Sequence, residues 1–430
     1  MMSKVKGFSK LSKQEKINWL IDNYFSNQPS AKNILLQYWN TDEQLQALHD
    51  GFIENTLSNF YLPYAVSPNF LIDGEYYTLP MVIEESSVVA ASSKAAKFWA
   101  ERGGFHTRVL GTKKIGHIHL IYKGKSQEIF DYFQTNKQLF KKAIDPLQEN
   151  MQKRGGGILS IDFVNQTDKL PGYYQIVMTF DTMDSMGANF INTVLEEFSE
   201  IFVENMPNEL RQKTDIIMRI LSNYTPECVV RAEVECPVEQ LRTSNMSGKE
   251  YADKFISAIK IAEAEPYRAV THNKGIMNGV DAVVLATGND FRAVEADVHA
   301  YASRNGQYTS LSHASVNNGI FRFWLELPLA IGTVGGLTAL HPLAKFSLQL
   351  LKNPSAKGLM RIIASAGLAQ NFAAINALIT DGIQQGHMKM HLNNLLKLLN
   401  ANPSEIALAK SYFANKKVNF NELKRLLNRK

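Results

Sequence analysis

Residues 271–295 carry a lysine and an aspartate at the two ends of an almost uncharged run. The segment reads THNKGIMNGVDAVVLATGNDFRAVE, and Asp290 follows Lys274 by sixteen residues, with Asp281 as the acid between them. Lys274 lies between two predicted turns, HN and GIMNG, and VDAVVLATG predicts a buried strand. Strand ends in α/β folds often carry reactive groups, and a lysine and a carboxylate held close tune each other's proton affinity. An active site and a structural ion pair explain these two charges equally well.

Two further side chains have the chemistry of proton donors. Glu85 ends an apolar run in IEESSVV and precedes a small-residue helix, so partial burial would make it a usable acid. The simpler interpretation is an acid at a helix start, favoured by the helix dipole. His387 follows a glycine in GIQQGHMKMH, and imidazole transfers protons near neutral pH. His391 lies four residues later, but no acidic third ligand is close in sequence, so we predict no metal.

Two glycine-containing turns suit an anionic ligand. In DSMGAN, residues 184–189, Gly187 permits close backbone approach beside a predicted helix N-terminus, which favours anions. GTVGG, residues 332–336, follows a predicted strand in the same way. Ordinary tight turns explain both patterns at least as well. No GxGxxG follows a predicted strand, which excludes the Rossmann route to a dinucleotide.

Composition limits the class of protein. The chain has 430 residues, which predicts two or three domains, and its net charge of +5 is too small to indicate nucleic-acid binding. Two cysteines, Cys228 and Cys236, are interpreted as small buried side chains of a cytoplasmic protein. The longest apolar stretch, FWLELPLAIGTVGGLTAL, contains a glutamate, a proline and three glycines. It therefore predicts no membrane span, and we expect a soluble protein.

Several elements can be assigned from local patterns. Ser12 and Glu15 form a capping box that opens a helix to about Tyr24. Asp73-Gly74 predicts a hairpin turn between two apolar runs. From about residue 110, the order strand, helix, strand, strand, helix, strand predicts a ferredoxin-like module. The basic tail, about 386–430, predicts three short helices.

Together these motifs resemble one known family. EESSVVAASSKAAKFW, DSMGAN, PYRAVTHNKGIMNGVDAVVLATGNDFRAVEA, GTVGG and GHMKMH, in this order and spacing, are similar to class II (bacterial-type) HMG-CoA reductase. The resemblance runs from about residue 8 to the tail. It implies an oxidoreductase that reduces the thioester of 3-hydroxy-3-methylglutaryl-CoA (HMG-CoA) to mevalonate and CoA. Two hydride transfers from NADH or NADPH are needed, in the mevalonate pathway of isoprenoid biosynthesis.

The resemblance implies a catalytic role for four residues. Lys274 would stabilise the negative charge on the carbonyl oxygen after each hydride addition. Glu85 would supply a proton to that oxygen, and Asp290 would hold the lysine and the glutamate in place. His387 would protonate the departing CoA thiolate.

Ligand contacts follow from the same resemblance. Arg268 would grip the distal carboxylate of the HMG group, helped by Asn278, Ser87 and Asn223. Asp145 would accept a hydrogen bond from a ribose 2′-hydroxyl and repel a 2′-phosphate, which favours NADH over NADPH. The other residues expected to bind the cofactor belong to the two glycine turns: Asp184, Met186, Gly187, Ala188, Asn189, Gly332, Thr333, Val334 and Gly335.

The implied fold class is an α+β multidomain protein. A large mixed helical domain for substrate and dimerisation (1–110 and 220–378) is interrupted by a small ferredoxin-like dinucleotide-binding domain (111–219). A C-terminal helical flap (379–430) would close over the site. Family active sites form between subunits, so we expect a homodimer or a multiple of dimers, with no nucleic acid, metal or membrane partner.

Three alternatives stay open. The enzyme would run toward mevalonate breakdown, or it is a relative that has lost one hydride step, or it is a non-catalytic dimeric scaffold. The intact set of four catalytic groups argues against the last two. One departure stands out: Asp297 occupies a position where the family usually has a small residue.

Overall fold

The computed structural model describes residues 5–28, 30–380, 392, 395–413, 416 and 418–429. The chain divides into two units, one up to Pro63 and one from Tyr64 onward. The predicted capping box is present, because Glu15 N–H donates to Ser12 Oγ and Ser12 N–H donates to the Glu15 carboxylate. The helices of the first unit are α1 (Lys13–Tyr24), α2 (Ala31–Gln37) and α3 (Glu43–Asp50).

The second unit opens with a hairpin, β1 (Tyr64–Ile72) and β2 (Glu75–Val82). Its turn is the predicted Asp73-Gly74, and both residues have positive φ, 48° and 84°, as tight hairpin turns require. The small-residue segment then forms α4 (Val88–Ala100), followed by β3 (His106–Val109). Ala95, Ala96 and Trp99 of α4 are buried.

The predicted ferredoxin-like module is confirmed. Its strands are ordered β5-β6-β4-β7, and all three pairings are antiparallel. Large aromatic side chains of its two long helices, among them Phe133, Phe140 and Phe198, fill the core. Its elements are β4 (Lys114–Tyr122), α5 (Ser126–Gln152), β5 (Gly157–Asn165), β6 (Tyr173–Asp181), α6 (Ala188–Glu204), α7 (Asn208–Arg211) and β7 (Thr214–Leu221).

A second antiparallel sheet has the order β3-β8-β10-β9. The chain leaves this sheet after β3 and returns to it in β8, so the ferredoxin-like module interrupts the larger domain, as the fold prediction requires. The remaining elements of this domain are β8 (Val229–Pro237), α8 (Gly248–Ala264), α9 (Pro266–Ala286), α10 (Phe291–Ala302), β9 (Ser312–Asn317), β10 (Ile320–Pro328), α11 (Gly336–Leu340), α12 (Pro342–Leu350) and α13 (Ala356–Ile379).

Helix α13 is the central helix of the larger core. Within the described ranges it is the one helix long and apolar enough to cross a membrane, and 67% of its most apolar window is buried inside the protein. The described part of the tail contains helices: residues 395–398 are helical and are followed by α14 (Pro403–Tyr412) and α15 (Phe420–Leu426). Leu396, Ala409, Phe413 and Leu423 pack together there.

The predicted strand at VDAVVLATG is wrong, and so are the turns predicted around Lys274. Residues 271–286, which include Lys274 and VDAVVLA, belong to α9. Gly279 faces α13, where an added Cβ would lie 2.5 Å from the carbonyl oxygen of Ala366. Gly367 of α13 faces Val280 in return. The glycines permit close helix packing, and that packing overrides the strand preference of the valines.

Candidate active site

Lys274 and Glu85 form a direct ion pair. Lys274 points from the exposed stripe of α9, and its Nζ lies 2.6 Å from Glu85 Oε2, in the turn between β2 and α4. Lys274 is 58% exposed and Glu85 is 38% exposed. The pair is therefore open to a ligand from solvent, and the predicted meeting of this lysine and this glutamate is present.

Ser87 sits two residues after Glu85 in a strained position. Its φ is 79°, in the left-handed region, and it occupies the N-cap position of α4 without a side-chain hydrogen bond to the helix. Its Oγ is buried and has no hydrogen-bond partner among the described residues. Buried hydroxyls normally find a partner, and such an exception is often functional. Ser87 Oγ thus has unused hydrogen-bonding capacity two residues after Glu85.

Asp290 does not contact this pair within one chain. It is the N-cap of α10 and accepts hydrogen bonds from the backbone N–H groups of Arg292 and Ala293 and from the Arg292 guanidinium. Partial burial acts to raise the pKa of Asp290, but these hydrogen bonds and the Arg292 charge lower it overall. Asp290 is therefore a carboxylate at neutral pH.

Helix α9 separates Lys274 from Asp290. Ala286 is the twelfth residue after Lys274 along the helix, and at a rise of 1.5 Å a residue the two lie about 18 Å apart. Asp290 follows four residues after that end, so the two side chains cannot meet within one chain. The segment therefore does not itself bring Asp290 to Lys274, and the expected role of Asp290 stays a prediction.

The two glycine turns pack against each other. Ser185 and Val334 form a β-bridge, and Thr333 N–H donates to the carbonyl of Asp184 at 2.8 Å. A Cβ on Gly332 would lie 2.5 Å from the backbone nitrogen of Met186. Only glycine allows this approach, so the two predicted cofactor segments form one surface.

Asn289 and Asp184 tie that surface to the larger domain. Asn289 Oδ1 accepts from Gly332 N–H at 2.8 Å, which places neighbouring Asp290 beside the glycine turns. Asp184 Oδ1 accepts from Ala356 N–H at the start of α13. Gly187 has φ 94° and is the N-cap of α6, followed by Ala188 and the exposed Asn189.

The other predicted residues are more dispersed. Arg268 and Asn278 lie on α9 and are half-buried, whereas Asn223 is exposed in the connection between β7 and β8. Asp145 is exposed on α5 and accepts from Gln148, whose own oxygen accepts from Ile158 N–H at the start of β5. His387 and His391 lie outside the described residues.

Similarity to known proteins decides the family. Residues 14–392 match the family model for hydroxymethylglutaryl-coenzyme A reductase. The chain belongs to this family. A 3-hydroxy-3-methylglutaryl-coenzyme A reductase of Archaeoglobus fulgidus is 37% identical over 410 residues, covering 94% of this chain and 89% of that protein. A probable enzyme of the same name from Borreliella burgdorferi is 35% identical over 81% of this chain and 78% of its own length.

Solved structures of HMG-CoA reductase agree. A class II enzyme of Streptococcus pneumoniae, bound to NADPH in open conformations, superposes with a TM-score of 0.73 at 36% identity, covering 97% of this chain and 99% of that one. A second structure of the Streptococcus pneumoniae enzyme has a TM-score of 0.73 at 37% identity, covering 99% of both chains. The predicted resemblance and the multidomain fold are confirmed, and the chain is an oxidoreductase of the HMG-CoA reductase type.

Sequence reasoning missed a buried acid cluster on α9 and α10. Burial, followed by the adjacent Glu295 carboxylate, raises the pKa of Asp281 to about 9, so Asp281 holds a proton at neutral pH. Glu295 also lies 2.5 Å from His299 Nε2, and the hydrogen bond from His299 lowers the pKa of Glu295. Asp281 interrupts the apolar run between Lys274 and Asp290. This interruption was the sequence signal that could have identified the cluster.

A second missed group is Lys114. It is 5% exposed, and burial lowers the pKa of its ammonium group. Inward and outward positions alternate along β4, with Ile118, Leu120 and Tyr122 facing inward. The same two-residue period places Lys114 inside, so the pattern in KIGHIHLIY could have identified it.

Proposed function

We propose that this chain reduces HMG-CoA to mevalonate and CoA with a nicotinamide cofactor, in isoprenoid biosynthesis. The observation that carries the proposal is the open Lys274–Glu85 pair. An exposed cation with a carboxyl group bonded to it suits a carbonyl that gains negative charge and then a proton.

Each side chain then has a separate task. Lys274 stabilises the developing oxyanion, and Glu85, already hydrogen-bonded to it, supplies the proton. Arg268 and Asn278 on α9, together with Ser87 and Asn223, hold the HMG group. His387 protonates the CoA thiolate so that the bond to carbon breaks without releasing a strong base.

The glycine turns fit a dinucleotide. Gly335 and Gly336 have positive φ, and the space where a Cβ would stand is open at both. The start of α6 at Ala188 presents N–H groups that attract a phosphate. The two turns supply the remaining expected contacts, and the bound nicotinamide supplies the hydride. Asp145 on α5 favours NADH.

A complete site requires a second copy of the chain. Because α9 holds Lys274 and Asp290 too far apart, Asp290 of the partner subunit would complete the Lys274–Glu85 group in a homodimer. The exposed stripe of α9 would then face the partner. A two-fold axis gives two such sites, each built from both subunits.

Mixed dimers test this arrangement. We expect Lys274→Ala and Asp290→Ala to be inactive alone, yet to recover activity when they are co-expressed. Half of randomly assembled dimers are mixed and each has one intact site, so recovery of about one quarter of the wild-type activity is expected. Confirmed mixed dimers without recovery would place the whole site in one chain.

A single assay separates the proposed reaction from its alternatives. Purified protein is mixed with HMG-CoA and NADH or NADPH, and nicotinamide absorbance and mevalonate are measured together. Two cofactors oxidised per mevalonate supports the reductase. One cofactor oxidised per HMG-CoA indicates a relative that has lost a hydride step, and none indicates a scaffold. Comparing this rate with CoA-dependent mevalonate oxidation tests the degradative alternative.

A further inference from the structure

Two buried charges of opposite sign face one small cavity behind the glycine turns. The cavity has a volume of about 20 Å³, enough for one water molecule. Lys114 lines it from β4, in the ferredoxin-like module, and Asp297 lines it from α10, in the larger domain. Met186 and Asn223, expected to contact cofactor and substrate respectively, line the same cavity.

Asp297 anchors the connection that carries Asn223. The Asp297 side chain is 1% exposed, and its two carboxylate oxygens accept from the N–H and the hydroxyl of Thr225. Thr225 is itself buried, two residues after Asn223. Burial raises the pKa of Asp297 to about 6, although the bonds from Thr225 act in the opposite direction. Asp297 thus fixes the backbone of the connection between β7 and β8.

Lys114 anchors the opposite loop. Its Nζ donates to Thr182 Oγ1 at 2.5 Å and to the carbonyl of Ser185 at 2.7 Å. Thr182 Oγ1 also donates to the Ser185 carbonyl. A Cβ on Gly187 would collide with Thr182, so the lysine, the threonine and the glycine turn form one packed unit.

Among the ion pairs of the described residues, none joins Lys114 to Asp297 directly. Both groups nevertheless line the same cavity, and both act on the pKa of the buried Cys228 thiol, which Lys114 lowers and Asp297 raises. The groups whose charges act on Lys114 are Cys228, Asp181 and Asp184. A small residue in place of Asp297 would leave Thr225 without its acceptor.

We propose that Asp297 and Lys114 are positioning residues that couple the substrate loop to the cofactor loop across this cavity. The proposal rests on the function proposed above, because Asn223 and the glycine turn are the groups being positioned. Asp297 fixes the position of Asn223 and Lys114 fixes the turn at 182–187. The shared cavity, with Cys228 within reach of both charges, links the two positions. Substrate affinity in this chain therefore depends on a buried acid.

The test is a double-substitution cycle with Asp297→Asn, Lys114→Met and the double variant. Steady-state kinetics are measured with HMG-CoA and the nicotinamide cofactor varied separately. We expect Asp297→Asn to raise KM for HMG-CoA about tenfold, as for one weakened charged hydrogen bond, while kcat changes far less. Lys114→Met raises KM for the cofactor, and the double variant loses less than the product of the two single losses.

Thr225→Val serves as a milder second variant, because it removes the hydroxyl and keeps the backbone bond to Asp297. It should raise KM for HMG-CoA in the same direction. Asp253→Asn, an exposed acid on α8, is the matched control and should leave both KM values unchanged. Equal losses in kcat and in both KM values, or losses that multiply in the double variant, overturn the coupling.

Thermal unfolding of the four proteins of the cycle, which are the wild type, the two single variants and the double variant, separates this proposal from the proposed function. An inactive wild type rejects the reductase proposal, yet the coupling is still measured as non-additive shifts in Tm. If the two substitutions add in both KM and Tm, then the charges act independently and the inference is wrong.

Discussion

Lys274 and Lys114 are the same side chain in opposite surroundings. Lys274 stands 58% exposed with one carboxylate beside it. Lys114 is almost fully buried, and its hydrogen bonds go to a hydroxyl and a backbone carbonyl. The exposed ammonium keeps donor capacity for a ligand, whereas the buried one holds a loop. A charge in solvent contributes little to folding, and a buried charge demands compensation.

Removing the exposed lysine should affect activity and leave the fold intact. We expect Lys274→Met to lower kcat with HMG-CoA by about a thousandfold, because the oxyanion loses its stabilising cation. The change in unfolding free energy should stay below about 1 kcal/mol, as for other exposed ion pairs. Activity assays and thermal unfolding measure the two effects, and Lys260→Met, on the exposed face of α8, is the control. Turnover close to wild type would contradict the proposed role.

His387 has a task that neither Lys274 nor Lys114 performs in the proposed reaction, because it supplies the proton to the leaving thiolate. We expect His387→Ala to slow reduction of HMG-CoA about a hundredfold, the usual contribution of one positioned acid. Reduction of supplied mevaldehyde should be spared, because no thiolate leaves in that step. Parallel assays on the two substrates measure this. An equal loss on both substrates would instead indicate a general binding defect.

Local patterns predicted much of the fold. The Ser12–Glu15 capping box and the Asp73-Gly74 turn depend on neighbours in sequence, and both are confirmed. The order of strands and helices was enough for the ferredoxin-like module, because that topology needs only element type and sequence order. Glu85 and Lys274 were placed together through family resemblance, and the structure brings them to 2.6 Å.

Helix α9 could not be predicted in this way. Its valines and glycines read locally as a strand with turns, and only α13 supplies the surface into which Gly279 fits. Asp290 forms an ion pair with Arg292 in the first turn of α10, and this contact depends on where α10 begins. The anchoring role of Asp297 likewise requires Thr225, which is seventy-two residues away in sequence.

The burial of Asp297 should also make the unfolding free energy depend on pH. The pKa of Asp297 rises from its ordinary 3.8 to about 6 in the folded chain, so the folded state binds this proton more tightly than the unfolded state. Unfolding free energy should therefore fall as pH rises from about 4 to about 6, by up to about 3 kcal/mol from this group.

Asp297→Asn should remove that part of the pH dependence. Urea unfolding at several pH values in this window measures it, with Asp253→Asn as the control. Lys114 and Cys228 also face this region, and burial keeps the Cys228 thiol neutral by raising its pKa to about 11. The same slope in Asp297→Asn as in wild type would show that another group titrates there.

The smallest expected effect concerns a third charge, Asp145, which is exposed like Lys274 but has no cation bonded to it among the described residues. It accepts one hydrogen bond, from Gln148, and so keeps acceptor capacity for a ribose hydroxyl. We expect Asp145→Asn to shift the ratio of kcat/KM values toward NADPH about tenfold, because the repulsion of a 2′-phosphate is removed. Glu149→Gln, an exposed acid one turn later on α5, should leave the ratio unchanged. If Asp145→Asn also leaves it unchanged, then the adenosine ribose lies elsewhere and the predicted preference for NADH loses its physical basis.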